Sequence, residues 1–211
     1  RTEIINFLLS HNFKHKKTKY LEIGVRNPSD NFDHIKSDEK YSVDPGLEYK
    51  QNPVTFRITS DEFFSLLEDA TSSIFGTKFD LIFIDGLHKA PQAARDITNA
   101  MKHIQPDGFV LLHDCNPPTE WHSRSDFHYK YTPAGPSWNG TTWKAFVAKR
   151  SDPNVSCCCI NSDWGVGVIS RHMNFGSHIK ELDQFFDYDV FDQKRTEYLN
   201  LVSFERFKEF F

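Results

Sequence analysis

The chain has 211 residues, of which 38% are hydrophobic and 26% charged, the balance of a soluble globular domain with a substantial core. A net charge of −4 excludes the concentrated positive face that nucleic-acid binding requires, and the one basic run, from His11 to Lys19, reads as a solvated turn. No apolar run approaches the roughly 18 residues needed to span a bilayer, and no signal-peptide pattern opens the chain. The four cysteines, Cys115 and the consecutive Cys157, Cys158 and Cys159, form neither a CxxC pair nor a disulfide framework. Strand packing accounts for the triplet, and a reducing cytoplasm is the expected compartment. The chain opens at Arg1 with no Met, which suggests that an N-terminal segment is missing.

Short apolar runs alternate with amphipathic stretches, the pattern of a parallel sheet covered by helices. Ile4 to Leu9 reads as the end of a helix, and Tyr20 to Val25 as a buried first strand. Phe32 to Ile35 falls in the next helix, and Tyr41 to Asp44 is a second strand stopped by Pro45-Gly46. Val54 to Ile58 alternates with period two and predicts a third strand. Ser60, Asp61 and Glu62 supply cap and acid chemistry for a helix carrying Phe63, Phe64, Leu66 and Leu67.

Phe79 to Ile84 is continuously apolar apart from Asp80, as a strand buried on both faces would be. Pro91 opens a helix whose inner face is expected to carry Ala94, Ile97 and Met101. Pro106-Asp107-Gly108 predicts a turn and Phe109 to Leu112 another central strand. Residues 116–139, rich in Pro, Ser, Trp, Tyr and His, predict a long loop or lid over a substrate. Thr141 to Lys149 is helical, Val155 to Ile160 and Gly165 to Ser170 form an antiparallel edge, and 180–211 closes with aromatic-rich helical segments. The whole, 1–211, is expected to be one α/β domain.

Ligands of such sheets sit beyond the C-terminal strand ends. Glu22 lies within the first strand, while Asp44 and Asp85 end two others. Asp44 follows Glu22 by 22 residues, close to the spacing at which an acid reaches ribose hydroxyls in dinucleotide folds. A dinucleotide, however, needs a GxGxxG turn for its pyrophosphate. Here Gly24 is followed by Val25, Arg26, Asn27, Pro28 and Ser29, which disfavours an NAD-type oxidoreductase.

Leu21-Glu-Ile-Gly24, Val43-Asp-Pro45, Asp80 to His88 and Gly108 to Asp114 occur in order at matching intervals. With Trp138-Asn-Gly-Thr-Thr-Trp143 and Trp164 to Ile169, this set resembles the class I S-adenosylmethionine-dependent methyltransferases of methyltransferase family 24. The resemblance covers nearly the whole chain. It implies a Rossmann-like three-layer sandwich with a seven-stranded, mostly parallel sheet whose last strand is antiparallel. Carried over, it places Glu22 and Gly24 along the methionine part of S-adenosylmethionine, Asp44 on the ribose, and Ser60 and Asp61 beside the adenine. Arg26 and Pro28 stand where many class I enzymes have further glycines.

Asp85 and Asp114 offer hard oxygens to Mg²⁺ or Mn²⁺, with His113 as an additional ligand, or Asp85 serves the cofactor. His88, three residues beyond Asp85, matches the position of a general base in sugar O-methyltransferases resembling this family. Trp121, His122, Trp138 and Trp143 are candidates for an aromatic wall against a small-molecule or glycan acceptor, or for packing. The expected activity is methylation of a hydroxyl. A catalytically silent module that holds S-adenosylmethionine is the alternative from another class.

Overall fold

The computed structural model describes residues 1–49, 51–180, 182 and 187–211. Seven strands form one sheet in the order β2-β1-β3-β4-β6-β5-β7. The chain divides into two compact units, one comprising Arg1–Leu87, Arg95–Leu111 and Phe211, the other His88–Ala94 and Leu112–Phe210.

The first unit opens with α1 (Thr2–Asn12), which buries Ile4, Ile5, Leu8 and Leu9. Next, β1 (Lys19–Ile23) pairs in parallel with β2 (Glu39–Val43) on one side and β3 (Phe79–Ile84) on the other. All six residues of β3 are buried. Burying each large apolar side chain there contributes roughly 1.5–3 kcal/mol. Asp80 is tolerated within β3 because it accepts from the Lys19 amide at 2.7 Å and pairs with Lys16 at 2.7 Å. Lys16 also pairs with Asp107, so the basic run contributes fixed ion pairs rather than only a solvated turn.

Residues 28–30 and 32–34 form two 3-10 turns, so the helix expected around Phe32 is only a turn long. α2 (Ser60–Glu68) is capped one residue earlier than expected: Thr59 accepts from the Glu62 amide, and Glu62 reaches back in a complete capping box.

Val54 to Ile58 is not a strand. Phe56 alone bridges to Val43, with the Phe56 amide donating to Ser42 O and the Asp44 amide to Phe56 O. On α3 (Ala90–His103) the inward row is Ala93, Ile97, Ala100 and Met101, while Ala94 is exposed, one position off the expected face. β4 (Ile104–Leu112) begins before Pro106-Asp107-Gly108, so those residues belong to the strand rather than to a turn. Gly108 is required there, since a Cβ would stand 2.8 Å from Asp80 O.

In the second unit, α4 (Thr142–Lys149) buries Trp143, Phe146 and Val147. β5 (Ser156–Ile160) pairs antiparallel with β6 (Val166–Ser170), as expected for the edge, and every residue of both is buried. Cys157, Cys158 and Cys159 are free thiols packed in β5. α5 (Tyr188–Leu199) is capped by Asp187 and ends at Asn200 in the left-handed region. The sheet's seventh strand is β7 (Leu201–Val202), parallel to β5, which composition had assigned to a helical tail; α6 (Phe204–Lys208) follows. Residues 181 and 183–186 of that expected tail lie outside the described residues.

Buried Arg150 binds this unit internally, donating to the carbonyls of Cys157, Tyr198 and Glu197. No helix among the described residues is long and apolar enough to cross a membrane.

Candidate active site

In the first unit Gly24, Asp44 and Asp85 lie around the C-terminal end of β1, which carries Glu22. Gly24 has φ +84°, and a Cβ there would lie 2.2 Å from Asp85 O, so glycine is demanded by the close pass of the Asp85–Gly86 backbone. The Asp85 amide in turn donates to Ile23 O at 2.8 Å. Asp44 accepts from the Arg26 amide through Oδ2 and from the Gly46 amide through Oδ1, tying the β1 and β2 loops together. Arg26 occupies the left-handed region (φ +47°) where many class I enzymes have glycine, and its guanidinium pairs with Asp30.

Glu22 is buried, its Oε2 accepting from Tyr20 OH at 2.5 Å and Asn31 Nδ2 at 2.9 Å. Burial pushes its carboxyl up to about 7, with the Asp85 charge adding to the rise and the Tyr20 and Asn31 hydrogen bonds opposing it. Ser60 begins α2, and exposed Asp61 lies 3.5 Å from Arg95.

In the second unit a compact polar cluster forms around Asp114, which is buried and held at φ +58° directly after β4. A non-glycine residue in that region carries strain on the order of 1–3 kcal/mol, and such strain concentrates at functional sites. Asp114 Oδ2 faces His88 Nε2 at 3.3 Å and His113 Nδ1 at 3.1 Å, while Oδ1 accepts from Asn139 Nδ2 at 2.8 Å. His113 Nε2 lies 3.5 Å from Asp163.

His88 is gripped by the segment Trp138–Thr141. Its Nδ1 stands 3.1 Å from Trp138 O; a carbonyl only accepts, so Nδ1 carries the proton. The Trp138 ring stacks on the imidazole at 5.1 Å, and the Thr141 amide donates to His88 O at 2.9 Å. Gly140 (φ +63°) lets the turn approach, since a Cβ would come within 2.0 Å of His88 O. Cys115 does not intrude: its Sγ turns to the carbonyls of Leu112 and His113, and burial raises the thiol well above its usual range.

The expected aromatic wall divides. Trp143 is wholly buried against Phe191 at 4.2 Å, packed in the core at the edge of the cleft described below. Trp138 stacks on His88, His122 lies 5.5 Å from Trp164, and Trp121 is exposed. Residues 116–139 carry one 3-10 turn, Glu120–Ser123, and exposed Tyr129 and Tyr131. A cleft of about 450 Å³ is lined by Trp121, Tyr129, Lys144 and Tyr188 among others; His88 and Asp114 do not line it. Sequence reasoning missed Asn139, although it sits inside the Trp138–Trp143 motif.

Residues 11–115 match the family described as a methyltransferase domain. A putative caffeoyl-CoA O-methyltransferase from Staphylococcus aureus superimposes with TM-score 0.53 at 17% identity, over 81% of this chain and 82% of that one. A putative O-methyltransferase from Klebsiella pneumoniae gives TM-score 0.52 at 16% identity, over 81% and 80%. No curated protein matches the chain. The seven-stranded sheet and these structural likenesses show a Rossmann-like fold, and the family match assigns a methyltransferase domain to it. The chain thus carries a methyltransferase domain over residues 11–115 in a Rossmann-like fold, similar to the class I S-adenosylmethionine-dependent methyltransferases.

Proposed function

We propose that the protein transfers a methyl group from S-adenosylmethionine to a hydroxyl of a small molecule or glycan, with His88 as general base. The observation that carries this reading is the orientation of His88: Trp138 O accepts at Nδ1, so Nε2 is the nitrogen presented beside Asp114. A histidine fixed in this way can take a hydroxyl proton at Nε2 as the hydroxyl oxygen gains the methyl group, and Asp114 Oδ2 then accepts from the imidazolium so formed. S-adenosylmethionine, when bound, supplies an electrophilic methyl on a sulfonium. In this reading Asp44 holds the ribose, Glu22 and Gly24 border the methionine part, Ser60 and Asp61 flank the adenine, and Asp85 borders the cofactor. Residues 116–139 serve as the lid, and their exposed aromatics Trp121, Tyr129 and Tyr131 support a small-molecule or glycan acceptor.

Metal assistance by Mg²⁺ or Mn²⁺ is part of the proposal, with His113 and Asp114 among its donors. The chemistry of Asp114 fits: it offers hard carboxylate oxygens, and the nearest thiol in sequence, Cys115, is turned onto backbone carbonyls. Such a cation would lower the acceptor's pKa and fix its oxygens. The test is methyl transfer from labelled S-adenosylmethionine to a panel of phenols, sugars and glycans, with wild type and His88→Ala. Tight cofactor binding without transfer to any acceptor would instead favour a silent binding module.

A further inference from the structure

Asn139 is fully buried, and the contacts of its amide fix its orientation. Nδ2 donates to Asp114 Oδ1 at 2.8 Å and lies 3.5 Å from Trp164 O; both partners are acceptors, so the amide cannot be flipped. Oδ1 then faces away and has no hydrogen-bond partner among the described residues. A buried, unpaired carbonyl oxygen costs roughly 1–3 kcal/mol. Packing alone would place an apolar side chain here, so the fold bears that cost to set an N–H donor on Asp114.

The same short segment carries every other restraint on His88 described above: the Trp138 carbonyl and ring, Gly140, and the Thr141 amide. Ala90 N also donates to Thr141 Oγ1 at 2.8 Å, closing the turn onto the start of α3.

We propose that Asn139 is a positioning residue that locks the Asp114 carboxylate, keeping Oδ2 on His88 Nε2 and so setting how the imidazole is presented. Its value for methyl transfer rests on His88 being the base, as proposed above. The locking itself is a property of the resting protein. Without the Asn139 donor, Asp114 Oδ1 loses a charge-assisted hydrogen bond inside a buried cluster, and the carboxylate rotates to recover one.

The experiment compares the imidazole ¹⁵N–¹H resonances of the full chain and its Asn139→Ala variant at one pH, with His88 assigned through His88→Gln. Expected is a displaced His88 Nε2 resonance, an unmoved His178 resonance, and a dissociation constant for S-adenosylmethionine within twofold of wild type. In an Asp114→Asn background, Asn139→Ala should add no further His88 displacement, because the effect passes through Asp114. An unmoved His88 resonance, or a displacement of equal size in both backgrounds, overturns the proposal. Should the alanine variant not fold, Asn139→Leu keeps the volume while removing the donor and is expected to show the same displacement. Failure of both to fold assigns Asn139 to the fold and overturns it too. None of these readouts needs a methyl acceptor, so a wild type that methylates nothing would count against the proposed reaction alone.

Discussion

His88 Nε2 and Asp114 Oδ2 stand 3.3 Å apart, one carried by the loop after β3 and the other by a left-handed residue directly after β4. With Nδ1 committed to Trp138 O, the imidazole can exchange a proton only at Nε2. Replacing His88 with Ala is therefore expected to slow turnover by about 10²–10⁴-fold, with the loss shrinking at high pH where the acceptor ionises unaided. Cofactor affinity should hold. Steady-state kinetics beside calorimetric titration of the same variant checks both; normal turnover would make the His88 cluster structural.

Asp44→Ala removes a carboxylate that accepts the Arg26 and Gly46 amides and, in the proposed reading, two ribose hydroxyls. Hydrogen bonds to charged groups contribute roughly 1.5–3 kcal/mol each, so affinity for S-adenosylmethionine should fall at least about tenfold. An unchanged dissociation constant would show that the ribose is held elsewhere.

Asp44 and Asp114 were conspicuous in the sequence because each follows the end of a strand, whereas His88 stood out only by its three-residue spacing from Asp85. β3 was legible to the residue, since six buried positions leave a run that is apolar but for Asp80. Val54 to Ile58 misled because alternation describes half-buried backbone whether or not it finds a partner along its length. Only Phe56 reaches β2. The reverse held for Leu201–Val202, whose two residues become a strand solely by pairing with Cys159 and Ile160. Asn139 was invisible for a similar reason. Its role is defined by Asp114, 25 residues earlier, and no local periodicity reports that contact.

Glu22 should leave a signature in stability against pH. Burial raises its folded-state pKa to about 7, above the ordinary value of 4.5, so the folded state keeps a proton that the unfolded chain releases between those values. Stability contributed by this group is therefore present below about pH 4.5, falls as pH rises toward 7, and then levels, by about 3 kcal/mol in all. Glu22→Gln removes the titration while keeping an acceptor for Tyr20 and Asn31. Denaturant unfolding from pH 4.5 to 8 should show the variant losing this decline; parallel curves for the two proteins would place the Glu22 pKa in the ordinary range.

Gly24→Ala places a methyl 2.2 Å from Asp85 O and asks alanine to hold φ +84°. The left-handed penalty alone is roughly 1–2 kcal/mol, and the backbone clash adds to it. The unfolding midpoint should drop by several degrees even without cofactor. A variant as stable as wild type would mean that the Asp85–Gly86 backbone yields freely.

If Mg²⁺ or Mn²⁺ serves the reaction, a chelator should abolish transfer and added Mg²⁺ restore it, while S-adenosylmethionine binding changes little. Undiminished activity in chelator would leave His113 and Asp114 with other duties.

The central claim is met most directly by calorimetric titration of the purified protein with S-adenosylmethionine and, separately, with NAD⁺. A class I methyltransferase with a lone Gly24 in place of a pyrophosphate-binding turn should give saturable heat with S-adenosylmethionine and none with NAD⁺. Saturable heat with NAD⁺ and none with S-adenosylmethionine would contradict it.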